Sequence, residues 1–351
     1  MKYLLQTQIG LEKITELELS KKFKGMFSLD FSGYIPHKNG IVQIDWRDGK
    51  NKFDYNSLGT IEDAYFILEY VKDIDETVDI YSIHKLLDIK TIKSNLDYFF
   101  DNENPFDKNK DFRLVVRKKS SHDFRRIDLQ KEVEKFFSKK ITRAEITKEE
   151  GSKEIWVTLL KNRLIVAVRL TTKEKRQGIY KNEGVHGSLR PAVAYAMAFL
   201  SEIKSKDVIL DPFCGAGTIP AEIIENFNFG KLFCSDISED AITITKDNLN
   251  STKEYSRLKG KVSIREEDFF LSKNYANLII SNLPFGVQYA IDSDFIKKFT
   301  SKINEIRNLR QITILFPELL SFEGWQMTRK FPLQLLGRNC YIQVFRKVGL
   351  V

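Results

Sequence analysis

From Asp207 onward, short apolar runs alternate with longer segments that mix apolar and polar residues. Five of the runs have the length and the β-branched content of strands: DVILD, KLFCSD, KVSIREED, ANLIIS and QITILF. The segments between them, such as IPAEIIENF and DAITITKDNLN, have room for a helix. Alternation of this kind predicts an α/β fold, a parallel sheet with helices on both faces.

The last apolar stretch, FPLQLLGRNCYIQVFRKV, has a different pattern. It predicts two strands joined by the short turn Gly337-Arg338-Asn339, and therefore an antiparallel hairpin at the edge of the sheet.

The first 180 or so residues predict an α+β pattern instead. FRLVVRKK and EIWVTLLKNRLIVAVRL have the composition of strands, and DLQKEVEKFFSKK that of an amphipathic helix. Glycine and proline then cluster in KEKRQGIYKNEGVHGSLRP, which is typical of a connector between domains. The next segment, PAVAYAMAFLSEI, predicts a helix with Ser188 as its N-cap and Pro191 in the first turn.

Composition limits the class of protein. With 351 residues, 42% of them apolar, the chain has enough material for two or three domains. No apolar run is long enough to span a membrane, and the N-terminal sequence lacks the pattern of a signal peptide, so we expect a cytoplasmic protein. Three scattered cysteines and four isolated histidines indicate reduced thiols and no structural metal.

The charge changes sign sharply along the chain. Residues 51–107 carry 5 basic and 13 acidic side chains, whereas residues 108–180 carry 21 basic and 10 acidic ones. Half of the densest basic cluster is arginine, whose planar fork suits phosphate oxygens. The cluster therefore predicts nucleic-acid binding, with a solvated basic surface as the alternative, and it comprises Lys108, Lys110, Arg113, Arg117, Lys118, Lys119, Arg125 and Arg126.

Ligands of parallel sheets bind at the carboxyl ends of the strands, and these ends carry acids and glycines here. The loop from Asp211 to Thr218, DPFCGAGT, is glycine-rich, but it has Pro220 where the dinucleotide fingerprint requires a glycine, and no phosphate-binding lysine follows. Asp236 ends the second strand, where its carboxylate can accept hydrogen bonds from two ribose hydroxyls. Asp268 ends the third strand and can accept from an adenine amino group, with Phe269 or Phe213 beside the ring. This set favours S-adenosylmethionine over a dinucleotide.

These motifs resemble those of the THUMP-domain RNA methyltransferases. HGSLRPAVAYAMAFL precedes DPFCGAGT, and SNLPFG follows it, in the order that is usual for that family. The resemblance implies a C-terminal Rossmann-like class I methyltransferase sheet of seven strands. It also implies an N-terminal half, ferredoxin-like and THUMP, that holds the acceptor end of tRNA. It implies methylation of a guanine N2 in the tRNA acceptor stem, near the sixth nucleotide. The implied boundaries are 1–60 for the ferredoxin-like subdomain, 61–172 for the THUMP domain, 173–190 for a linker and 191–351 for the methyltransferase domain.

The cofactor site predicted in this way combines the lead-in to the first helix of the methyltransferase domain, HGSLRP at residues 186–191, with the glycine loop and the strand ends. Its residues are His186, Ser188, Leu189, Asp211, Phe213, Cys214, Gly215, Gly217, Thr218, Asp236, Ile237, Asp268, Phe269 and Asn282. His186 is either a hinge-loop residue or a contact to the cofactor. The family motif has proline at Leu283, and often a basic residue where this chain has Val287-Gln288, so the substrate contact of that basic residue is in question.

The segment SNLPFG supplies the predicted catalytic residues Asn282, Leu283, Pro284 and Phe285. Guanine N2 is a poor nucleophile because its lone pair is delocalised into the ring, so an enzyme must hold the amine with acceptors. Asn282 Oδ1 and the Leu283 carbonyl are two acceptors, Pro284 keeps Leu283 extended, and Phe285 can stack on a flipped base. The alternative is a turn that ends a strand.

Rival functions remain open from the sequence. Covalent cytosine methylation through Cys214 lacks a second cysteine beside a proline. An adenine-N6 DNA methyltransferase, a protein-glutamine methyltransferase, a ribosomal RNA guanine-N2-methyltransferase and a non-catalytic RNA-binding protein are the others. We expect a monomer that binds tRNA without an obligate protein partner.

Overall fold

The structure of the protein, a computed structural model, describes residues 1–35, 39–49, 51–103, 111–141, 145–147, 153–172, 175, 189–284, 293–335 and 337–349. These residues separate into two compact units. The first unit consists of residues 1–6, 19–57 and 63–172. The second consists of residues 7–18, 58–62 and 173–351, so it includes two pieces of the N-terminal region. The predicted boundaries at residues 60, 172 and 190 stay predictions.

The first sheet has eight strands in the order β2-β3-β1-β4-β8-β7-β5-β6. They are β1 (Lys2–Thr7), β2 (Phe27–Ile35), β3 (Asn39–Trp46), β4 (Asp63–Val71), β5 (Asp111–Lys119), β6 (Glu145–Thr147), β7 (Lys153–Leu160) and β8 (Arg163–Arg169).

Helices of the N-terminal region are α1 (Glu12–Lys22), α2 (Ile89–Tyr98) and α3 (Arg126–Lys140). Shorter helical turns span Tyr55–Ser57, Ile83–Leu86 and Phe99–Glu103. Burial alternates along β5, because Phe112, Leu114 and Val116 point to the core of this sheet while Arg113 and Arg117 lie on its other face. The predicted strands β5, β7 and β8 and the predicted helix α3 are confirmed.

The second sheet has seven strands in the order β11-β10-β9-β12-β13-β15-β14. They are β9 (Val208–Asp211), β10 (Lys231–Asp236), β11 (Val262–Glu266), β12 (Leu278–Asn282), β13 (Gln311–Phe316), β14 (Trp325–Leu335) and β15 (Arg338–Lys347). The first five run parallel, and the last two form an antiparallel edge hairpin. The predicted α/β methyltransferase-type sheet is therefore confirmed.

The strand order of this sheet reverses between β9 and β12. From β9 the chain proceeds through β10 to β11 on one side, and it then returns to build β12 and β13 on the other. A reversal of this kind leaves a crevice outside the carboxyl ends of the two strands, where open α/β sheets bind ligands. Asp211 ends β9 and Asn282 ends β12, so both predicted site residues lie at this crevice.

The helices of the second unit are α4 (Pro191–Leu200), α5 (Thr218–Asn226), α6 (Glu239–Asn250), α7 (Tyr255–Leu258) and α8 (Ser293–Glu305), with a short turn at Lys259–Lys261. All ten residues of α4 are buried, which explains its almost uniformly apolar sequence. Its N-cap is Arg190 and its first helical residue is Pro191, so the predicted N-cap, Ser188, is wrong. Proline suits this position because the first helical N–H has no partner within the helix.

The hairpin turn is also shorter than predicted. Leu335 pairs with Arg338 and Gln334 with Asn339, so Arg338 and Asn339 already belong to β15. Gly337 adopts a φ of 78°, in the left-handed region that a tight turn requires. The predicted turn at residues 337–339 is therefore wrong for Arg338 and Asn339, and only Gly337 of the three lies in the turn.

Two pieces of the N-terminal region are integrated into the second unit. The buried Glu18 carboxylate accepts hydrogen bonds from the backbone N–H groups of Gly59, at 3.0 Å, and of Thr60, at 3.1 Å. A Cβ at Gly59 would lie 2.1 Å from the ring of Tyr195 on α4, so this position needs glycine. Near the other end of the chain, Gln334 donates its backbone N–H to the Ile9 carbonyl.

Candidate functional site

The glycine loop after β9 turns the chain sharply into α5. Gly215 and Gly217 have φ angles of 54° and 74°, in a region that residues with a Cβ rarely adopt. The Gly217 N–H donates to the Cys214 carbonyl at 2.8 Å, and Gly217 is the N-cap of α5. A Cβ at Gly215 would meet no described atom within 4 Å, so the loop presents open backbone there. This arrangement permits close approach of a ligand.

Two side chains of helix α6, neither of them predicted from the sequence, hold the glycine loop by hydrogen bonds to its carbonyl groups. Thr245 Oγ1 donates to the Gly215 carbonyl at 2.7 Å, and Asn248 Nδ2 donates to the Ala216 carbonyl at 2.9 Å. Both residues are buried and lie three positions apart, on one face of α6. The only available signal was the presence of polar residues on the apolar face of an amphipathic helix.

The carboxylate of Asp236 connects the end of β10 to the glycine loop. Its Oδ2 accepts from the Gly215 N–H at 2.9 Å, and its Oδ1 accepts from the Ser238 N–H at 3.1 Å. Each oxygen keeps a second lone pair, which suits the ribose hydroxyls predicted as partners. The neighbouring side chain of Ile237 is 67% exposed, as expected for an apolar surface that a ligand covers.

Asp268 and the aromatic residues lie beside the same strand ends. Asp268 Oδ1 accepts from the Phe270 N–H at 2.8 Å, which fixes the orientation of the carboxylate. The Phe269 side chain is only 2% exposed and packs in the core, 5.6 Å from the Phe213 ring between ring centres. Phe213 is half-buried, so of the two predicted neighbours for an adenine ring it offers the accessible face.

Asp211 is buried at the bottom of the crevice. Its side chain accepts a 2.7 Å hydrogen bond from Ser281 Oγ on β12. Its second oxygen, Oδ2, is buried and has no hydrogen-bond partner among the described residues. Burial raises the pKa of the Asp211 carboxyl to about 7, while the bond from Ser281 opposes the rise. A buried acid with one unsatisfied oxygen is a site for a donor or a cation.

Asn282 ends β12 with a second unsatisfied oxygen. Its Oδ1 is buried and accepts no hydrogen bond within the described part of the chain. The Leu283 side chain is fully buried in the core and Pro284 is half-buried, so both anchor the segment after Asn282. Phe285, Val287 and Gln288 lie outside the described residues. An acceptor fixed in this way can hold an amino group that donates to it.

Cys214 does not have the environment of a nucleophile. Its side chain is buried within the loop, with Sγ 3.7 Å from Thr245 Oγ1. Burial raises the pKa of the thiol well above its ordinary value, which disfavours the reactive thiolate. A place in the loop structure therefore accounts for this residue.

The lead-in to α4 is described only in part. Leu189 is buried, and Arg190 forms an ion pair with Glu62 at 2.6 Å within the second unit. Thr218, the last residue of the glycine motif, is buried as the first residue of α5. His186 and Ser188 lie outside the described residues.

Several residues of the predicted RNA-binding cluster already have protein partners in the first unit. Arg113 pairs with Glu154 at 2.6 Å, and Arg125 pairs with Asp128 at 3.0 Å. The Arg117 guanidinium stacks 4.0 Å above the Trp156 ring, and Lys118 donates to the Ser120 carbonyl. Lys108 and Lys110 lie outside the described residues.

Other members of the cluster are more accessible. Lys119 is exposed, and the exposed Arg126 donates to Gln130 at 2.9 Å. Lys118, Lys119 and Lys161 line an open cavity of about 1170 Å³ in the first unit. The lining of this cavity also includes the acidic Asp75 and Glu76, and Arg125 lines a second open cavity of about 690 Å³ in the first unit.

None of the helices in the described ranges is long and apolar enough to cross a membrane. No group of three or more histidine, cysteine or acidic side chains is placed there to hold a metal ion.

Three comparisons relate the chain to known proteins. A family model, UPF0020: RMKL-like, methyltransferase domain, matches residues 179–325. U6 snRNA (guanine-N(2))-methyltransferase THUMPD2 of Bos taurus is 31% identical over 121 residues, which are 34% of this chain and 23% of that protein. The tRNA (guanine(6)-N2)-methyltransferase of Methanocaldococcus jannaschii is 22% identical over 287 residues, 65% of this chain and 74% of that protein.

A solved structure extends the likeness to the whole fold. The crystal structure of TrmN from Thermus thermophilus superimposes with a TM-score of 0.74 and 16% identity, covering 99% of this chain and all of that one. The match to the bovine protein spans about a quarter of its length. The chain therefore has the fold of a Rossmann-like methyltransferase, and its residues 179–325 match an RMKL-like methyltransferase domain.

Proposed function

We propose that the protein transfers a methyl group from S-adenosylmethionine to the exocyclic N2 amine of a guanosine in tRNA. The observation that carries this proposal is the buried Oδ1 of Asn282 at the topological switch point, which no described residue satisfies. An amide acceptor at this place suits a nucleophile that donates a hydrogen bond, such as an exocyclic amine, and does not suit a carbon atom. The names of the bovine and archaeal relatives, both guanine-N2-methyltransferases, support the choice of base.

The second unit has the features that the cofactor requires. Asp211 Oδ2, which has no partner among the described residues, fits the amino-acid end of S-adenosylmethionine. The open backbone at Gly215 fits the body of the cofactor, and the lone pairs of Asp236 fit its ribose. When bound, this cofactor supplies an electrophilic methyl group on a sulfonium. The residues of the chain then have to bind and orient the cofactor and the guanine and to exclude water. Methyl transfer is an in-line displacement, so its rate depends on this positioning.

Asn282 orients the nucleophile, the guanine N2 amine. Its Oδ1 accepts one N–H of the guanine amino group, and the Leu283 carbonyl accepts the other. Two acceptors on one nitrogen favour a pyramidal amine, whose lone pair is then available to the methyl group. Phe285 stacks on the flipped base. No strong general base is required, since the alkylated nitrogen is acidic.

The first unit is proposed to hold the RNA as a ferredoxin-like and THUMP module. Its basic cluster and the cavity lined by Lys118, Lys119 and Lys161 support a role in phosphate contact. We propose the acceptor stem as the target region and a cytoplasmic monomer as the working form.

The direct test is methyl transfer from tritium-labelled S-adenosylmethionine. Bulk tRNA, ribosomal RNA, plasmid DNA and protein are offered in parallel, and the product nucleosides are identified by mass spectrometry. The proposal expects N2-methylguanosine in tRNA. Label in DNA or protein alone would show that one of the rival methyltransferase activities is the correct one.

A second candidate is the same reaction on a different RNA. The name of the bovine relative, a U6 snRNA methyltransferase, favours this alternative. N2-methylguanosine in ribosomal or small nuclear RNA, with no label in tRNA, would support it.

The basic cluster gives a prediction on RNA capture. Replacing Arg117, Lys118 and Lys119 by glutamine should weaken tRNA binding and flatten its salt dependence by a slope of roughly 0.7–0.9 per lost contact, because fewer counterions are released. Fluorescence anisotropy at several salt concentrations measures both quantities. The matched control neutralises Lys21, Lys22 and Lys24, an exposed basic run of equal charge. Equal slopes for the two triple variants would mean that the cluster is a solvated surface.

A further inference from the structure

The hydrogen bond between Ser281 and Asp211 joins the two strands that border the crevice. Ser281 is 0% exposed on β12, and Asp211 is 1% exposed at the end of β9. Ser281 Oγ donates to Asp211 Oδ1 over 2.7 Å, between residues 70 positions apart in the chain. The bond occupies Oδ1 and so fixes the direction of the other carboxyl oxygen, Oδ2, which has no partner among the described residues.

The groups that face Asp211 offer no compensating positive charge. Strand β10 contributes Cys234 and Asp236, and the negative charge of Asp236 raises the pKa of the Asp211 carboxyl further. The loop contributes the Cys214 thiol and the Phe213 N–H, which reaches Oδ1 at 3.4 Å. Strand β12 contributes the neutral Ser281. Within the described residues, each side chain identified around this carboxyl is therefore neutral or acidic.

A buried carboxyl in such surroundings keeps its proton unless a cation arrives. Burial raises the pKa to about 7, so near neutral pH a large fraction of the free protein carries a protonated Asp211. S-adenosylmethionine has an α-ammonium group that can donate to an ionised Oδ2. Binding of that group requires the carboxylate, and the proton must leave.

We propose that Ser281 is a positioning residue that directs Asp211 Oδ2 at the ammonium group of the cofactor, so that cofactor binding is coupled to proton release. The inference rests on the proposed function. In the coupled step, the O–H bond of the Asp211 carboxyl breaks and its proton passes to the solvent. The carboxylate then accepts an N–H of the ammonium group, and no other bond changes.

The sign of the pH dependence follows from this linkage. Below the pKa of Asp211, binding has to remove a proton, so affinity falls by about tenfold for each unit of pH. Above the pKa the carboxylate is already ionised, so the ionisation of Asp211 no longer makes the affinity depend on pH. The hydrogen bond from Ser281 lowers the pKa, so its removal moves the midpoint of the profile to higher pH.

Isothermal titration calorimetry between pH 5.5 and 8.5 tests the inference with S-adenosylmethionine as the probe. Titrations in buffers of different ionisation enthalpy count the protons released, and we expect the wild type to release roughly one proton more than Asp211→Asn at low pH and the same number at high pH. Ser281→Ala should shift the profile upward and weaken binding most near neutral pH, about tenfold. Ser281→Thr should restore the wild-type profile, because it keeps the hydroxyl donor.

Two further variants separate positioning from stability. Asp211→Asn should bind weakly and release no proton at low pH, since the titrating group is gone. Ser201→Ala is the matched control, because it also removes a fully buried hydroxyl, which lies 2.8 Å from both Thr313 Oγ1 and the Met197 carbonyl and makes no contact with Asp211. It should lower the melting temperature without moving the pH profile. The cofactor amine exchanges the same number of protons with every variant, so its contribution cancels when two variants are compared at one pH.

Different outcomes would contradict different claims. If the wild type and Ser281→Ala had the same pH profile of affinity, and the wild type released no more protons than Asp211→Asn at any pH, the coupling would be overturned while the proposed methyl transfer stayed intact. Failure of the folded wild type to bind S-adenosylmethionine at every pH would overturn both.

Discussion

Replacing Asn282 by alanine is expected to lower kcat by on the order of 100-fold or more, as loss of a preorganised polar contact at a reacting centre does. The side chain is fixed at the end of β12 with a buried acceptor that no described residue satisfies, so its desolvation is already complete before the substrate arrives. The variant should bind cofactor with nearly unchanged affinity, because Asn282 Oδ1 is assigned to the guanine amine. Single-turnover assays at saturating RNA and cofactor measure the effect.

A second asparagine, directly before the same strand, provides the control. Asn277 precedes β12 and accepts the Val208 N–H at 2.9 Å, which is a purely structural contact. Asn277→Ala should therefore lower the melting temperature and keep kcat. If Asn282→Ala instead behaved like Asn277→Ala, with a lower melting temperature and normal turnover, SNLPFG would be a turn that ends a strand.

Replacing Asp236 by alanine is expected to weaken S-adenosylmethionine binding by about 2–3 kcal/mol, roughly 30- to 150-fold. The change removes the acceptor proposed for the ribose hydroxyls. It also releases the Gly215 N–H, which Asp236 holds at 2.9 Å, so the glycine loop loses one of its fixed points. Calorimetric titration with S-adenosylmethionine measures the loss.

The control for this variant is an acid on the adjoining helix. Asp240 is exposed in the first turn of α6, four residues beyond Asp236. Asp240→Ala changes the net charge equally and should leave cofactor affinity within about twofold, since surface charges contribute little. Equal affinities for the two variants, with both proteins folded, would remove Asp236 from the cofactor site.

Local patterning was sufficient to predict the second sheet. Strands β9, β10, β12 and β13 are buried and read as short apolar runs, because both faces of a parallel sheet are covered. The same patterning placed Asp211, Asp236 and Asn282 at strand ends. It could not choose between Phe213 and Phe269, since that choice depends on how the rings pack around Phe299.

Contacts between distant positions were not accessible from the sequence. Thr245 and Asn248 support the glycine loop across about 30 residues, and Ser281 reaches Asp211 across 70. Each of these side chains is small and polar, and periodicity reports only that such a residue interrupts an apolar face. The N-cap Arg190 was missed for a local reason, because its side chain makes no capping hydrogen bond and arginine is not among the residue types by which an N-cap is recognised.

The two N-terminal pieces that belong to the second unit have a consequence for folding order. Gln8 donates to the Gln334 carbonyl across 326 residues, so this unit has a high contact order and pays a large loop-closure entropy. During synthesis, residues 8–10 can make these contacts only after residues 332–334 have been added to the chain. A fragment that starts at residue 173 would lack the Glu18 carboxylate and the Gly59 backbone that contact Tyr195. It would expose an apolar surface of α4 and aggregate, although its sequence contains every predicted methyltransferase motif from Asp211 onward.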